Sequence, residues 1–234
     1  MWNPARDTDL SATPAFLRTN TRIRLVVIKL TDLLLEDESH QPSAPIARRL
    51  LTMSGKQAHT AISRSVTEKL RNGQVVTIRP MEKSDIELER AFITNLSPES
   101  RHFRFLGGIG EPSEQLLKQL TDIDHDEREA FIALLESDKG PLEIGAARYI
   151  LEASRTAAEC AVVVADDWQM QGLGTLLLNR LIESARARGV KHLYSIDSAE
   201  NIKLRDVARS MGWDCHTDPQ DHTQVIFTLD LSAT

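Results

Sequence analysis

Apolar positions change their spacing sharply along this chain of 234 residues. Over residues 1–70, polar stretches such as "RDTDLSATP" and "EDESHQPSAP" surround a single apolar patch, and neither helical nor strand period is sustained. A segment with so little to bury predicts a flexible or loosely packed extension. Within it, "LVVIKLTDLLL" reads as a docking helix for a partner or as a marginal helix or strand, and Met53 opens a second candidate translation start. From Arg71 the pattern sharpens. "VVTIRP" (75–80) is a β-branched run closed by proline, which predicts a strand. In "KSDIELERAFITNL", Ser84 or Asp85 can cap a helix whose apolar positions are Ile86, Leu88, Ala91, Phe92 and Leu96. "SEQLLKQLTDI" repeats the helical period after Pro112.

Two strand-like runs follow, "EAFIALLE" (129–136) and "LEIGAARYIL" (142–151), joined by the turn chemistry of "SDKGP", so they predict a hairpin. "AAECAVVVADD" (157–167) is apolar on both faces up to its closing acids, as a central strand covered on each side must be, and Glu159 is the ionisable side chain inside that run. "GTLLLNRLIESARARG" is an amphipathic helix with Leu177, Leu178, Leu181, Ile182 and Ala185 inward and Gly189 as its stop. "HLYSID" (192–197) is a strand, "SAENIKLRDVARSMG" a helix ending at Gly212, and "WDCHT" and "TQVIFTLDL" are closing strands. The order β-α-α-β-β-β-α-β-α-β-β predicts an α/β domain over 71–234: a mixed sheet with helices on both faces.

Charge divides along the same boundary. Residues 1–70 hold ten Lys/Arg against seven Asp/Glu, and the rest holds eighteen against twenty-seven, so the two parts are +3 and −9. An acidic main domain is a poor nucleic-acid binder and suits a cationic substrate. The apolar patch is short and interrupted by Lys29, Thr31 and Asp32, which argues against a signal peptide or membrane span and for a cytoplasmic protein. Cys160 and Cys215 have neither disulfide-framework nor zinc-type spacing, so packing is their expected role and no metal is expected. "DIDHDE" (122–127) starts like a calcium loop but has Glu127 at position six and Ala133 at position twelve, where such a loop needs glycine and glutamate. It reads as a solvated turn or as a lining of the acceptor cleft. "GGIG" (107–110) reads as a mobile loop near the substrate entrance, and neither His102 nor His125 is assigned a ligand role.

The chemistry concentrates in "ADDWQMQGLGTLLLNRL" (165–181), a strand end, a glycine turn and a helix in direct succession. A glycine-led helix start offers free backbone N–H groups and the positive end of the helix dipole, a site for phosphate. The Walker pattern is absent, and Leu177 stands where a dinucleotide-binding fingerprint needs its third glycine. Gln169-Met170-Gln171-Gly172-Leu173-Gly174 instead fits Q-x-x-G-x-G, and here the sequence resembles the GNAT family of acetyl-CoA-dependent N-acetyltransferases over about residues 74–230. "GQVVTIRPMEKSD", "LSPESRHFRF" and "AECAVVVADDWQMQGLG" further resemble the acetyltransferase domain of bacterial Pat-type protein lysine acetyltransferases, which often carry a further large domain.

The resemblance implies a GNAT fold, acetyl-CoA as cosubstrate and a protein substrate with an accessible lysine. It puts the pyrophosphate on the amides of Gln169, Met170, Gln171, Gly172, Leu173, Gly174 and Thr175, and the pantetheine arm along Val163, Val164 and Ala165. Asn201 matches an asparagine that contacts this arm, although it can equally be a helix cap. Val163 or a neighbour would supply the N–H for the oxyanion. Glu159, thirteen positions before Gly172, occupies the place of a glutamate general base. The chemistry requires one, because a lysine amine with pKa about 10.4 is protonated at neutral pH and must lose a proton to attack a thioester. The competing reading makes Glu159 a strand-end carboxylate, exposed or paired with Arg148 or Arg155. One departure from the family stands out: Ala208 occupies the position of the tyrosine that often protonates the leaving thiolate. A small amine as acceptor, or a non-catalytic acyl-CoA sensor, are the alternative functions.

Overall fold

The computed structural model describes residues 65–105 and 110–232. The extension up to residue 64, with the apolar patch and Met53, lies outside the described residues, as do positions 106–109 with most of the "GGIG" stretch. Eight strands form one sheet: β1 (Val66–Lys69), β2 (Val75–Pro80), β3 (Arg128–Ser137), β4 (Gly140–Leu151), β5 (Ala157–Val164), β6 (His192–Ser198), β7 (Asp214–Thr217) and β8 (Gln224–Asp230). Their spatial order is β1-β2-β3-β4-β5-β6-β8-β7, antiparallel throughout except for the parallel pair β5 and β6. The helices are α1 (Ile86–Asn95), α2 (Pro98–Phe105), α3 (Glu114–Thr121), α4 (Leu173–Ala187) and α5 (Ile202–Ser210). None of them is long and apolar enough to cross a membrane.

The α/β layering expected from the sequence is present, with two additions. The sheet starts at Val66, inside the stretch assigned to the extension, where β1 pairs with β2. The segment 98–105, left without an element by the sequence reading, is α2. Its start signal is ordinary: Ser97 Oγ accepts the Ser100 N–H (3.1 Å) and Pro98 takes the first helical position.

Two apolar cores fill the two faces. Under α4, Phe131, Ala147, Tyr149, Ala158 and Cys160 of the sheet pack with Leu173, Leu177, Leu178, Leu181, Ile182 and Ala185. On the opposite face, Ala130, Ile132, Leu134 and Ala146 pack with Phe92, Ile93 and Leu96 of the α1 segment, Phe105 of α2 and Leu116, Leu117 and Leu120 of α3. Of the stripe expected for this helix, Phe92 and Leu96 are buried and Ile86 and Leu88 pack on the core, but Ala91 is exposed, and the further inward positions are Ile93 and Glu89.

Gly145 explains how closely α4 approaches the sheet. A Cβ there would lie 3.1 Å from both Leu177 Cδ1 and the Val163 carbonyl oxygen, tighter than ordinary contact. Leu173 and Leu177 occupy the space that its missing side chain leaves.

Candidate active site

β5 and β6 are paired only at 157–159 against 192–194. Beyond Glu159 they part, β5 remaining with β4 as far as Val164 and β6 with β8 as far as Ser198, so a wedge opens between them. Backbone alternation decides which groups face it. The Ala165 N–H donates to Ile144 O at 2.9 Å, which turns the backbone groups of Ala165, Val163 and Ala161 toward β4 and those of Val162 and Val164 toward the wedge. The Val164 carbonyl confirms the assignment by accepting from the Gln169 amide at 3.3 Å, away from β4. Of the residues named for the oxyanion donor, Val163 or a neighbour, the neighbours Val162 and Val164 have amides aimed into the gap, and Val163 does not.

A cleft of about 410 Å³ opens along this wedge. Val163 and Val164 line it from β5, Gln169, Met170, Gly172, Gly174 and Thr175 from the turn, and Asn201 from the start of α5. Ala165, Gln171 and Leu173 lie outside the lining. Ala165 packs on the core opposite α4, Leu173 is buried beneath α4, and Gln171 offers its carbonyl to the Arg71 N–H at 3.1 Å. Gly172 is the N-cap of α4 with φ 87°, and Met170 reaches φ 60° two residues earlier, so the turn folds back tightly and leaves the first amides of α4 facing outward. Arg71 lines the same cleft, its Nε 3.7 Å from where a Gly172 Cβ would stand, and adds the positive charge a pyrophosphate needs. The turn, the outward amides and this guanidinium fit the phosphates of an acyl-CoA.

Side-chain bonds hold the walls of the cleft together. Asp166 accepts from Ser97 N (2.9 Å), Ser97 Oγ (2.7 Å) and Ser100 Oγ (2.7 Å), fastening the start of α2 to the end of β5. Burial would raise this carboxyl, but the serine donors outweigh it and hold it below the usual range. Gln169 bridges three elements, donating to Val164 O and Ser100 Oγ and accepting from Lys203 Nζ at 2.8 Å. Asn201 caps α5 through a 3.1 Å bond from Leu204 N and also lines the cleft, so its capping role is present and leaves the second role open.

Glu159 is 4% exposed, at the closed end of the wedge, between Ile150 of β4 and Tyr194 of β6. It is not part of the cleft lining. Side chains alternate along β5, with Ala158, Cys160, Val162 and Val164 packed on the α4 side and Val163 and Ala165 on the other, so Glu159 belongs to the α1–α3 face. The partners suggested for it are engaged elsewhere: Arg148 bonds Glu89 (3.1 Å), and Arg155 bonds Asp126 (2.8 Å). Cys160 points away from Glu159 into the α4 core as expected, and burial, with the Glu159 charge, pushes its thiol up, away from nucleophilic use. The "DIDHDE" loop is closed by its own chain: Asp124 Oδ1 accepts the amides of Asp126, Glu127 and Arg128 at 2.8 to 2.9 Å.

Sequence reasoning missed the wall opposite β5. Arg104 and Phe103 of α2 and Asp197 of β6 line the cleft. Arg104 is buried, which together with Arg148 lowers its guanidinium to about 9, still charged at neutral pH. Asp197 is equally secluded, and burial raises its carboxyl to about 6. The signal was present in "HLYSIDS", where an acid interrupts a strand just after its paired part, but nothing in a linear pattern tells where the strand parts from its neighbour.

Residues 96–213 match the model of the acetyltransferase (GNAT) family. Acetyltransferase PA5475 of Pseudomonas aeruginosa is 46% identical over 164 residues, 70% of this chain and 88% of that protein. Acetyltransferase Pat of Mycolicibacterium smegmatis is 28% identical over 69% of this chain but only 48% of its own length. Among solved structures, the GNAT domain of S. lividans PAT superposes with a TM-score of 0.65 at 24% identity, covering 71% of this chain and 96% of that one. Wedge, glycine turn and strand order agree with these likenesses, and the chain belongs to the GNAT acetyltransferase family.

Proposed function

We propose that this protein transfers the acetyl group of acetyl-CoA to the ε-amine of a protein lysine, by direct attack in a ternary complex. The observation that carries this reading is the backbone edge of Val162 and Val164, which no strand among the described residues covers, set between the glycine turn and Glu159. An extended pantetheine arm entering from the phosphate end would pair with Val164 first and present its thioester carbonyl to the Val162 N–H deeper in the wedge. The amine comes from the α1–α3 face, where Glu159 takes its proton as nitrogen bonds to the carbonyl carbon. The choice of lysine draws on the resemblance to Pat-type enzymes and on the acidic balance of residues 71–234, which favours approach of a cationic side chain. The two cysteines are free thiols, in keeping with action in the cytoplasm.

The test is transfer of labelled acetyl from acetyl-CoA to candidate proteins by the full chain and by Glu159→Gln. The wild type should label lysines, and the variant should retain acetyl-CoA affinity while turning over about 10²- to 10⁴-fold more slowly. Labelling of small amines alone would move the acceptor to a metabolite. Equal rates for both proteins would remove Glu159 from the chemistry.

A further inference from the structure

Acetyl transfer ends with a thiolate leaving, and Ala208, where the family often has a tyrosine, carries nothing that can protonate it. We infer that Asp197 supplies this proton from the opposite wall of the wedge. The inference rests on the acetyl-transfer reading above but not on the identity of the acceptor.

Asp197 stands three residues beyond Tyr194, the last residue of β6 that pairs with β5, and Val162 stands three beyond Glu159, its partner in that pair. The two are therefore level across the opening. Asp197 shares its strand face with Leu193, which packs in the α4 core, so it lies on the face opposite to Glu159. An amine arriving at one face and a thiol departing at the other would find one carboxyl group each. Asp197 Oδ1 is fixed by the Ser198 N–H (2.7 Å) and by Asn201 Nδ2 (3.1 Å). Among the described residues both hydrogen bonds to the carboxylate fall on Oδ1 and none on Oδ2, and the residue lines the cleft.

The setting moves the carboxyl toward protonation, to about 6, which leaves it largely ionised at neutral pH until the cleft is filled. Burial is the main cause of the raised carboxyl, and Arg104 of α2 opposes it through space without coming within ion-pair distance. The other charged groups on this cleft are Arg71 beside the turn, Glu99 on α2, and Lys203 and Asp206 on α5. Filling the wedge with a pantetheine arm removes the remaining water and pushes the carboxyl further up. As the tetrahedral intermediate collapses, the C–S bond breaks with its electron pair on sulfur, and the Asp197 proton passes to the thiolate. The carboxylate left behind is held by Asn201 and Ser198 N–H. It regains a proton from water when CoA departs, while Glu159 releases to water the proton taken from the amine. The net products are the amide, CoA thiol and the proton lost by the lysine ammonium.

Two measurements on the full-length protein decide the matter. Calorimetric titration with acetyl-CoA at pH 7, in buffers of different ionisation enthalpy, counts protons taken up on binding. The wild type should take up a fraction of a proton, and Asp197→Asn, which keeps the acceptor for Ser198 N–H, should take up none at similar affinity. Glu159→Gln should leave that count unchanged, so a failed assignment of the base is distinguishable. In thiol-release assays with both Nα-acetyl-lysine amide and a simple diamine as acceptors, Asp197→Asn should lose about tenfold in kcat. That is below the usual general-acid effect, because a thiol of pKa near 8.5 is a good leaving group. The KM for acetyl-CoA should hold, and the wild type's fall in kcat at high pH should disappear. Asp197→Ser should behave as Asn does, which separates lost acid from altered folding. Equal proton uptake in wild type and Asp197→Asn, or an unchanged kcat profile, overturns the inference.

Discussion

The two faces of the sheet bury charge by opposite rules. Beneath α4, the buried carboxylate Glu129 has a surplus of partners: His125 Nδ1 at 2.6 Å on one oxygen, Arg188 at 2.8 Å on the other. Burial alone would raise it, yet these partners, led by the bond to His125, hold it below the ordinary range. On the α1–α3 face, Glu89 and Glu143 are both buried; Arg148 is paired with Glu89 at 3.1 Å and reaches Glu143 only through space. Glu143 is pushed well above its ordinary range, first by burial and then by the neighbouring Glu89. Among the described residues no conventional donor reaches its oxygens or Glu89 Oε2, which is what a proton shared between two carboxyl groups looks like. Identical side chains at similar depth thus differ in charge because they differ in the number of cations per carboxylate. The face that would receive the amine is the one short of cations.

The contrast breaks most severely at Arg148. Arg148→Met should cost about 3–5 kcal/mol, because it strips Glu89 of its counter-charge and frees the Leu120 carbonyl that Arg148 also satisfies. Chemical denaturation measures it, and a loss below about 1 kcal/mol would mean that the Arg148–Glu89 pair does not hold this face together. The α4 face should respond to volume instead. Gly145→Ala drives a methyl against Leu177 and the Val163 carbonyl, for about 1–3 kcal/mol by thermal unfolding. Since Val163 is the hinge between the two amides that face the wedge, acetyl-CoA affinity should weaken along with stability.

These features also mark where the sequence was readable. The α4 face was legible nearly residue by residue, because its core is aliphatic and its helix start is announced by glycines; all five inward positions expected of α4 are buried. The other face hid its key residues. Glu89 lies between the apolar positions of its helix and went unmarked, and Arg148 in β4 was considered only as a partner for Glu159; the fold sets the two 3.1 Å apart. Asp197 and Arg104 stand 93 positions apart in sequence and line one cleft only because β5 and β6 diverge. Local pattern encodes which face is apolar; it does not encode which long-range pair neutralises a buried charge.

The smallest predicted effect tests the contrast most directly, since it concerns only protons. Glu143 keeps its proton in the folded state at pH values where the unfolded chain, with a glutamate near 4.5, has lost it. The folded state then holds more protons than the unfolded chain, so this group's contribution to stability is full below about pH 4.5 and is lost as pH rises through the folded value. Glu129 has the reverse sign: its lowered value gives stability that is full above the unfolded value and is lost as pH falls through the folded one. Glu143→Gln replaces a neutral acid by a neutral amide whose N–H can donate to Glu89 as the shared proton does. It should match the wild type at pH 4 to 5 and exceed it by about 1 kcal/mol at pH 8. Glu129→Gln should lose stability most at neutral pH and least in acid. Melting temperatures of the three proteins from pH 4 to 9 check both slopes, and parallel curves for wild type and Glu143→Gln would show that Glu143 is ionised in the fold and that the two faces follow the same rule.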